Sequence, residues 1–151
     1  MIVMETFKFS LQPVLNHRQF IEESLQKEFA HLQRRLTAEQ EQLDCQEQQQ
    51  QQLTFDLEQM QRQATTSSKL LLYVDFLEQL KADIKHQQQI IADLNQQTAL
   101  KREELLEAMK NRKALEKFKE KKLAQHREQM LSKEQAFLDE IGVNRHGRRQ
   151  P

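Results

Sequence analysis

The chain has 151 residues, and because 23 basic residues balance 23 acidic ones, its formal net charge of zero argues against a generally basic nucleic-acid-binding protein. Hydrophobic residues make up 37% of the sequence, too few for a thick globular core but enough for a narrow interface between helices. The single cysteine, Cys45, excludes an internal disulfide framework, and no apolar run has the length of a signal peptide or a membrane span. These features predict a cytoplasmic protein without direct membrane insertion.

Glycine and proline are missing from the whole stretch between Pro13 and Gly142. Turns in compact folds depend on the backbone geometry of these two residue types. The stretch is instead rich in Leu, Glu, Gln, Lys and Arg, which are good helix formers. The sequence therefore predicts an all-α protein that acts through the surfaces and ends of long helices.

Residues 1–9 form a predicted lead segment, and the first helix is expected over about 10–64. Ser10 can cap this helix, and Pro13 falls in its first turn, where a missing N–H costs nothing. Apolar residues then follow in steps of three and four, which defines a seam for packing against a second helix. The apolar seam positions are Leu11, Leu15, Leu25, Phe29, Leu32, Leu36, Leu43, Leu53, Leu57, Met60 and Ala64. The polar residues in the same register are Arg18, Glu22, Glu39, Gln46 and Gln50.

A run of small hydroxyl residues predicts a turn over 65–69, with Ser67 or Ser68 capping a second helix over about 70–141. Because the link is short, the two helices should pair antiparallel. The second helix then either overhangs the first at the end with both termini or meets the residues before Ser10. Gly142 is the expected stop, followed by a basic disordered tail over 142–151. The seam of the second helix is Leu77, Leu80, Ile84, Ile91, Leu94, Thr98, Leu105, Ala108 and Leu115.

Catalytic and metal-binding patterns are weak. Glu28 with His31, and Asp83 with His86, have a spacing used in di-iron bundles, but the seam register places both histidines towards solvent. Cys45 has acidic neighbours, which disfavour a thiolate, and the chain has no glycine-rich phosphate loop. We therefore expect no enzyme activity and no cofactor.

Basic residues are dense over 101–122, where glutamates also allow i,i+4 ion pairs. One interpretation is a solvated, salt-bridged helix face, and the other is a docking surface for an acidic protein channel. Binding to nucleic acid is a weaker third, since Phe118 is the only aromatic residue among the cations. Arg112, Lys113 and Lys117 are expected to lie largely off the seam.

The start of the second helix, residues 70–77, holds more apolar residues than one seam can bury. Tyr73 and Phe76 should therefore be partly exposed. The stretch is either a hydrophobic plug that closes the hairpin or a binding patch, and we favour the patch.

Four stretches resemble the FliJ family, the soluble stalk and chaperone-escort proteins of the bacterial flagellar type III export apparatus. The stretches are Phe7 to Arg18 with Glu22 and Glu23, Tyr73 to Leu80 with Ile84 and Gln87, Lys101 to Lys122, and Glu134 with Asp139 to Ile141. The interleaved Arg, Lys and Glu of the third stretch is the most specific feature, since heptads alone match many coiled coils.

The resemblance implies a two-helix antiparallel coiled-coil hairpin similar to the central stalk of rotary ATPases. It further implies that the end with both termini enters the pore of a hexameric export ATPase and promotes its assembly and hydrolysis. The opposite region would contact the cytoplasmic domain of the membrane export gate, and the protein would escort export chaperones at the flagellar base. The implied pore contacts are Leu11, Leu15, Arg18, Arg112, Lys113, Lys117, Phe118 and Lys119. The implied gate contacts are Tyr73, Phe76 and Leu80.

Three alternatives to this stalk remain open at the level of sequence. A generic coiled-coil scaffold without an ATPase partner has the same heptads and can be a dimer, whereas the stalk interpretation requires a monomeric hairpin. A stalk subunit of a rotary ATPase proper carries a further globular part, for which this chain has no room. A helical metalloenzyme needs inward histidines and carboxylates that the register does not provide.

Overall fold

The computed structural model describes residues 6–63 and 65–148 of the chain, and these form two long helices without any strand. Helix α1 spans Gln12–Arg62 and helix α2 spans Ser67–Arg148. The two helices pack against each other, which confirms the prediction of an all-α helical hairpin.

Helix α1 begins at Gln12, two residues after the start expected at about residue 10. The backbone N–H of Leu15 donates to the carbonyl of Leu11 at 2.9 Å, and the N–H of Gln12 donates to the carbonyl of Phe9 at 3.1 Å. Pro13 therefore lies in the first turn, where no carbonyl partner is needed. The helix ends at Arg62, two residues before the predicted end.

Helix α2 begins earlier than predicted. The carbonyl of Thr66 accepts the N–H groups of Lys69 and Leu70, both at 3.2 Å, so the residue that directly precedes the helix is Thr66 and not Ser67 or Ser68. Residues 67–69, which we expected in the turn, are helical. Thr65 closes the turn instead, since its hydroxyl donates to the carbonyl of Met60 at 3.0 Å. Ala64 lies outside the described residues.

The prediction that Gly142 ends the second helix is wrong, because α2 continues to Arg148. Gly142 does not adopt the positive φ that a glycine at a helix C-terminus uses. Residues 142–148 of the predicted disordered tail are thus helical, while 149–151 lie outside the described residues. The predicted lead segment is described from Thr6 onwards.

The chain divides into two compact units, each built from both helices. We call Met1–Glu23 with Glu107–Pro151 the terminal unit and Ser24–Leu106, which contains the turn, the turn unit. In the turn unit, the buried apolar residues all lie at predicted seam positions of α2. These are Leu80, Ile84, Ile91 and Leu94.

Among the described residues, the terminal unit buries fewer apolar side chains than the turn unit does. Its buried apolar residues are Leu15, at 2% exposure, and Ala108, at 7%. Glu22 is also buried there, at 6% exposure, so a carboxylate occupies a core position of this unit. Such a group is stable only if a cation or several donors face it.

Candidate docking surfaces

Arg112 supplies the cation that Glu22 requires. Its Nε donates to the Glu22 carboxylate across the helix interface, and its Nη1 donates to Glu116 on its own helix at 2.8 Å. These bonds, first that to Glu22 and then that to Glu116, raise the pKa of Arg112 above its ordinary value. The expectation that Arg112 lies off the seam is therefore wrong, since it is a half-buried interface residue.

Lys119 is also engaged within the terminal unit. Its ammonium group donates to the side-chain carbonyl of Gln12 at 2.7 Å, which ties α2 to the first residue of α1. Leu15, another predicted pore contact, is buried in the core of the unit. Leu15, Arg112 and Lys119 thus hold the terminal unit together, and their side chains offer little free surface to a partner.

The other predicted pore residues of α2 remain accessible. Lys113 and Lys117 are exposed, and within residues 6–63 and 65–148 neither makes an ion pair or a side-chain hydrogen bond. Phe118, next to them, keeps 40% of its surface exposed. Leu11, which directly precedes α1, is 36% exposed, and Arg18 on α1 is half-buried. The accessible set therefore combines two free cations with apolar surface.

The lead segment packs on α2, which was one of the two arrangements the sequence left open. The ring of Phe9 lies 5.9 Å from that of Phe118, and the ring of Phe7 lies 5.5 Å from that of His126. The Lys122 ammonium covers Phe118 from 5.4 Å. Sequence periodicity could not find these contacts because the lead segment is not helical, although two phenylalanines spaced by two predict an extended segment with one apolar face.

The predicted gate residues in the turn unit differ in accessibility. Phe76 is 60% exposed and Tyr73 is half-buried, as expected, and together with Leu53 and Leu72 they line a hollow of about 250 Å³. Leu80 is only 7% exposed and belongs to the core. The accessible apolar surface here, which we call the tip patch, is therefore Leu53, Leu72, Tyr73 and Phe76.

The seam of the turn unit contains a polar contact that the heptad pattern did not show. Gln87, buried on α2, donates through Nε2 to the backbone carbonyl of Glu39 at 3.0 Å and to its carboxylate at 2.5 Å. Gln46, one heptad further along α1, has a buried Oε1 without a hydrogen-bond partner among the described residues. One polar seam position is thus satisfied, and the next one is not.

Metal binding finds no support in the part of the chain that the structure describes. No group of three or more His, Cys, Asp or Glu side chains in residues 6–63 and 65–148 is placed to hold a metal ion. His31 and His86 are exposed, in agreement with the seam register. Among the same residues, neither helix contains a stretch that is both long enough and apolar enough to cross a membrane.

Comparison with known proteins gives one family. The sequence model described as "Flagellar FliJ protein" matches residues 7–151, nearly the whole chain. A comparison with curated proteins gave no match, and a comparison with solved structures gave none either. The chain belongs to the FliJ family, and this membership makes it a component of the flagellar protein export apparatus.

Proposed function

We propose that the terminal unit docks in the pore of the hexameric flagellar export ATPase and promotes its assembly and hydrolysis. The observation that carries this proposal is the exposure of Lys113 and Lys117 beside the partly exposed ring of Phe118. Two cations that pair with no described residue of the chain suit an acidic channel, because they can bind carboxylates there without first breaking such a pair. Phe118 adds apolar area at the same place.

The tip patch is our proposed contact for the cytoplasmic domain of the membrane export gate. Phe76 and Tyr73 carry this proposal, since large aromatic residues that stay exposed beside a hollow are typical of interface anchors. Leu80 is left out of this contact, because it is buried in the core. In the proposed function the free protein is a monomeric hairpin without catalytic activity of its own. It escorts export chaperones at the cytoplasmic face of the inner membrane.

The test is the hydrolysis rate of the cognate export ATPase as the protein is titrated in. We expect stimulation that saturates near one chain per six ATPase subunits, and Lys113→Glu/Lys117→Glu should abolish it. The matched control is Lys81→Glu/Lys85→Glu, which reverses two exposed lysines of the same spacing in the turn unit. Circular dichroism must show the same helicity for both variants.

Two results would count against pore docking. Absence of stimulation, with an ATPase shown to be active and to form rings, would leave a coiled-coil scaffold without an ATPase partner. Equal loss of stimulation in both double variants would mean that overall charge, and not the terminal unit, produces the effect.

A further inference from the structure

Two separate grooves flank the seam of the turn unit at the same level. One, of about 630 Å³, is lined by Glu28, Lys101 and Glu104 among others. Its formal charges balance, because Lys27 and Lys101 face two carboxylates in the lining, and Lys101 bonds Glu28 at 2.8 Å and Glu104 at 3.1 Å. The charge of the second groove can be compared with that of this first, balanced groove.

The second groove, of about 730 Å³, differs in its charges. We call it the arginine groove, because Arg34 from α1 and Arg102 from α2 line it. No carboxylate lines this groove, and in residues 6–63 and 65–148 neither arginine makes an ion pair. Arg102 lies over the ring of Phe29 at 5.6 Å, which orients its guanidinium without neutralising it. The groove therefore presents two unpaired positive charges.

Small side chains form part of the lining between the arginines, beside Gln33, Leu36 and Asn95. Ala30 on α1 and Ala99 and Thr98 on α2 contribute to it, and Thr98 already donates its hydroxyl to the carbonyl of Leu94 at 2.7 Å. A surface of small residues lets another helix backbone approach closely. The lining residues recur at steps of three and four on both helices, so the groove follows the helix axes and suits an elongated ligand.

We propose that the arginine groove binds an acidic amphipathic α-helix of a partner protein. An apolar ridge of that helix lies on Ala30 and Ala99, and flanking carboxylates pair with Arg34 and Arg102. Arginine is suited to this role because its guanidinium can bind a carboxylate through two parallel hydrogen bonds. A single-stranded nucleic acid fits less well, since no exposed aromatic residue lines the groove for base stacking. The site is distinct from both the pore-docking residues and the tip patch.

The test uses three dye-labelled 18-residue helical peptides with the same glutamate positions and a ridge of Ala, Leu or Met. Binding to the full chain is followed by fluorescence anisotropy, with a Lys-for-Glu peptide as the negative probe. We expect at least one acidic peptide to bind, and Arg34→Glu/Arg102→Glu to weaken it about tenfold or more through like-charge repulsion. The control Lys27→Glu/Arg35→Glu has the same charge change at residues that do not line this groove.

A steric variant separates a docking site from general attraction. Ala99→Phe leaves every charge in place but fills the groove at an exposed position, and it should also weaken binding. The proposal is overturned if none of the three acidic peptides binds, if the control double variant weakens binding as much, or if Ala99→Phe binds as tightly as the unmodified chain. Binding of an oligothymidine in place of the peptides would also overturn it.

Discussion

The guanidinium of Arg112 on α2 is bonded to the buried carboxylate of Glu22 on α1, and it holds Glu116 as a second partner. Within residues 6–63 and 65–148, Glu22 bonds no side chain other than Arg112, whereas Arg112 keeps Glu116 if Glu22 is lost. Arg112→Met should therefore lower the melting temperature more than Glu22→Met, because only the first change leaves an unpaired charge in the core. Thermal unfolding followed by circular dichroism measures both.

The double variant Glu22→Leu/Arg112→Leu completes this comparison. Removing both charges takes away the unpaired group, so its melting temperature should recover to at least that of Glu22→Met. A double variant less stable than Arg112→Met would show that the ion pair contributes more to the stability of the terminal unit than the desolvation of its two charges costs. Because Arg112 stabilises the terminal unit, a variant at Arg112 would not separate a loss of ATPase binding from a loss of stability.

The side-chain carbonyl of Gln46 gives a prediction in which a substitution raises the stability of the protein. Its Oε1 is buried and has no partner within residues 6–63 and 65–148, so Gln46→Leu should remove an unsatisfied acceptor and add apolar contact at a seam position. We expect the free energy of unfolding to rise by about 1 kcal/mol, measured by urea denaturation. Gln48→Leu, at an exposed position of the same glutamine run, is the control and should change little. Equal effects of the two substitutions would contradict the assignment of Gln46 to the interface.

Much of the seam could be predicted from the sequence. Steps of three and four identified Ile84, Ile91 and Leu94, because a helix that buries one narrow face must repeat its apolar residues with that period. Arg112 was missed although it lies four residues after Ala108 and three before Leu115, which is the seam spacing. The prediction placed Arg112 at the surface because it is charged. The contact that buries it involves Glu22, which is 90 positions away in the chain, so local spacing cannot show it.

The candidate sites were less predictable than the seam. Leu15 and Leu80 match a family pattern, but a pattern does not distinguish a residue that packs the hairpin from one that contacts a partner. Their exposures of 2% and 7% make that distinction. The arginine groove could not be predicted from the sequence, because Arg34 and Arg102 come from different helices. Only the register in which the helices pair brings them to one groove.

Core packing predicts a sharp contrast between two leucines of α2. Leu94 is 2% exposed, and Leu94→Ala should destabilise the protein by about 2–5 kcal/mol through lost burial and the resulting cavity. Leu100 is 55% exposed, so Leu100→Ala should stay within about 0.5 kcal/mol of the unmodified chain. Urea denaturation of the two variants measures the difference. Similar losses for both would mean that the register of α2 against α1 is different in solution.

The tip patch predicts a loss of binding without a loss of stability. Phe76→Ala should weaken binding to the cytoplasmic domain of the export gate, because an exposed aromatic anchor would be removed, while helicity and melting temperature stay unchanged. Phe20→Ala is the control, since Phe20 is a 66% exposed aromatic residue of the terminal unit. Biolayer interferometry with the immobilised gate domain compares the two. An unchanged affinity for Phe76→Ala would remove the patch from the proposal.

The last prediction concerns pH and Lys101. Hydrogen bonds from its ammonium group to Glu28 and then to Glu104 raise the pKa of Lys101 above its ordinary value. Because the folded state binds this proton more tightly than the unfolded state does, the stabilisation is complete below the ordinary lysine pKa of about 10.4. It is lost as the pH rises through the higher pKa of the folded state.

Comparison with Lys101→Met isolates this contribution, because every other ionisable group is present in both proteins. The unmodified chain should melt a few degrees above the variant at neutral pH, and this gap should close in strongly alkaline solution. The gap should also shrink in high salt, since Glu28 and Glu104 are more than half exposed and screening weakens exposed pairs. Melting temperatures from pH 7 upwards measure it, and a gap that widens with pH would contradict the raised pKa. Arg112 contributes no such alkaline loss, because its own raised pKa keeps it protonated over this range.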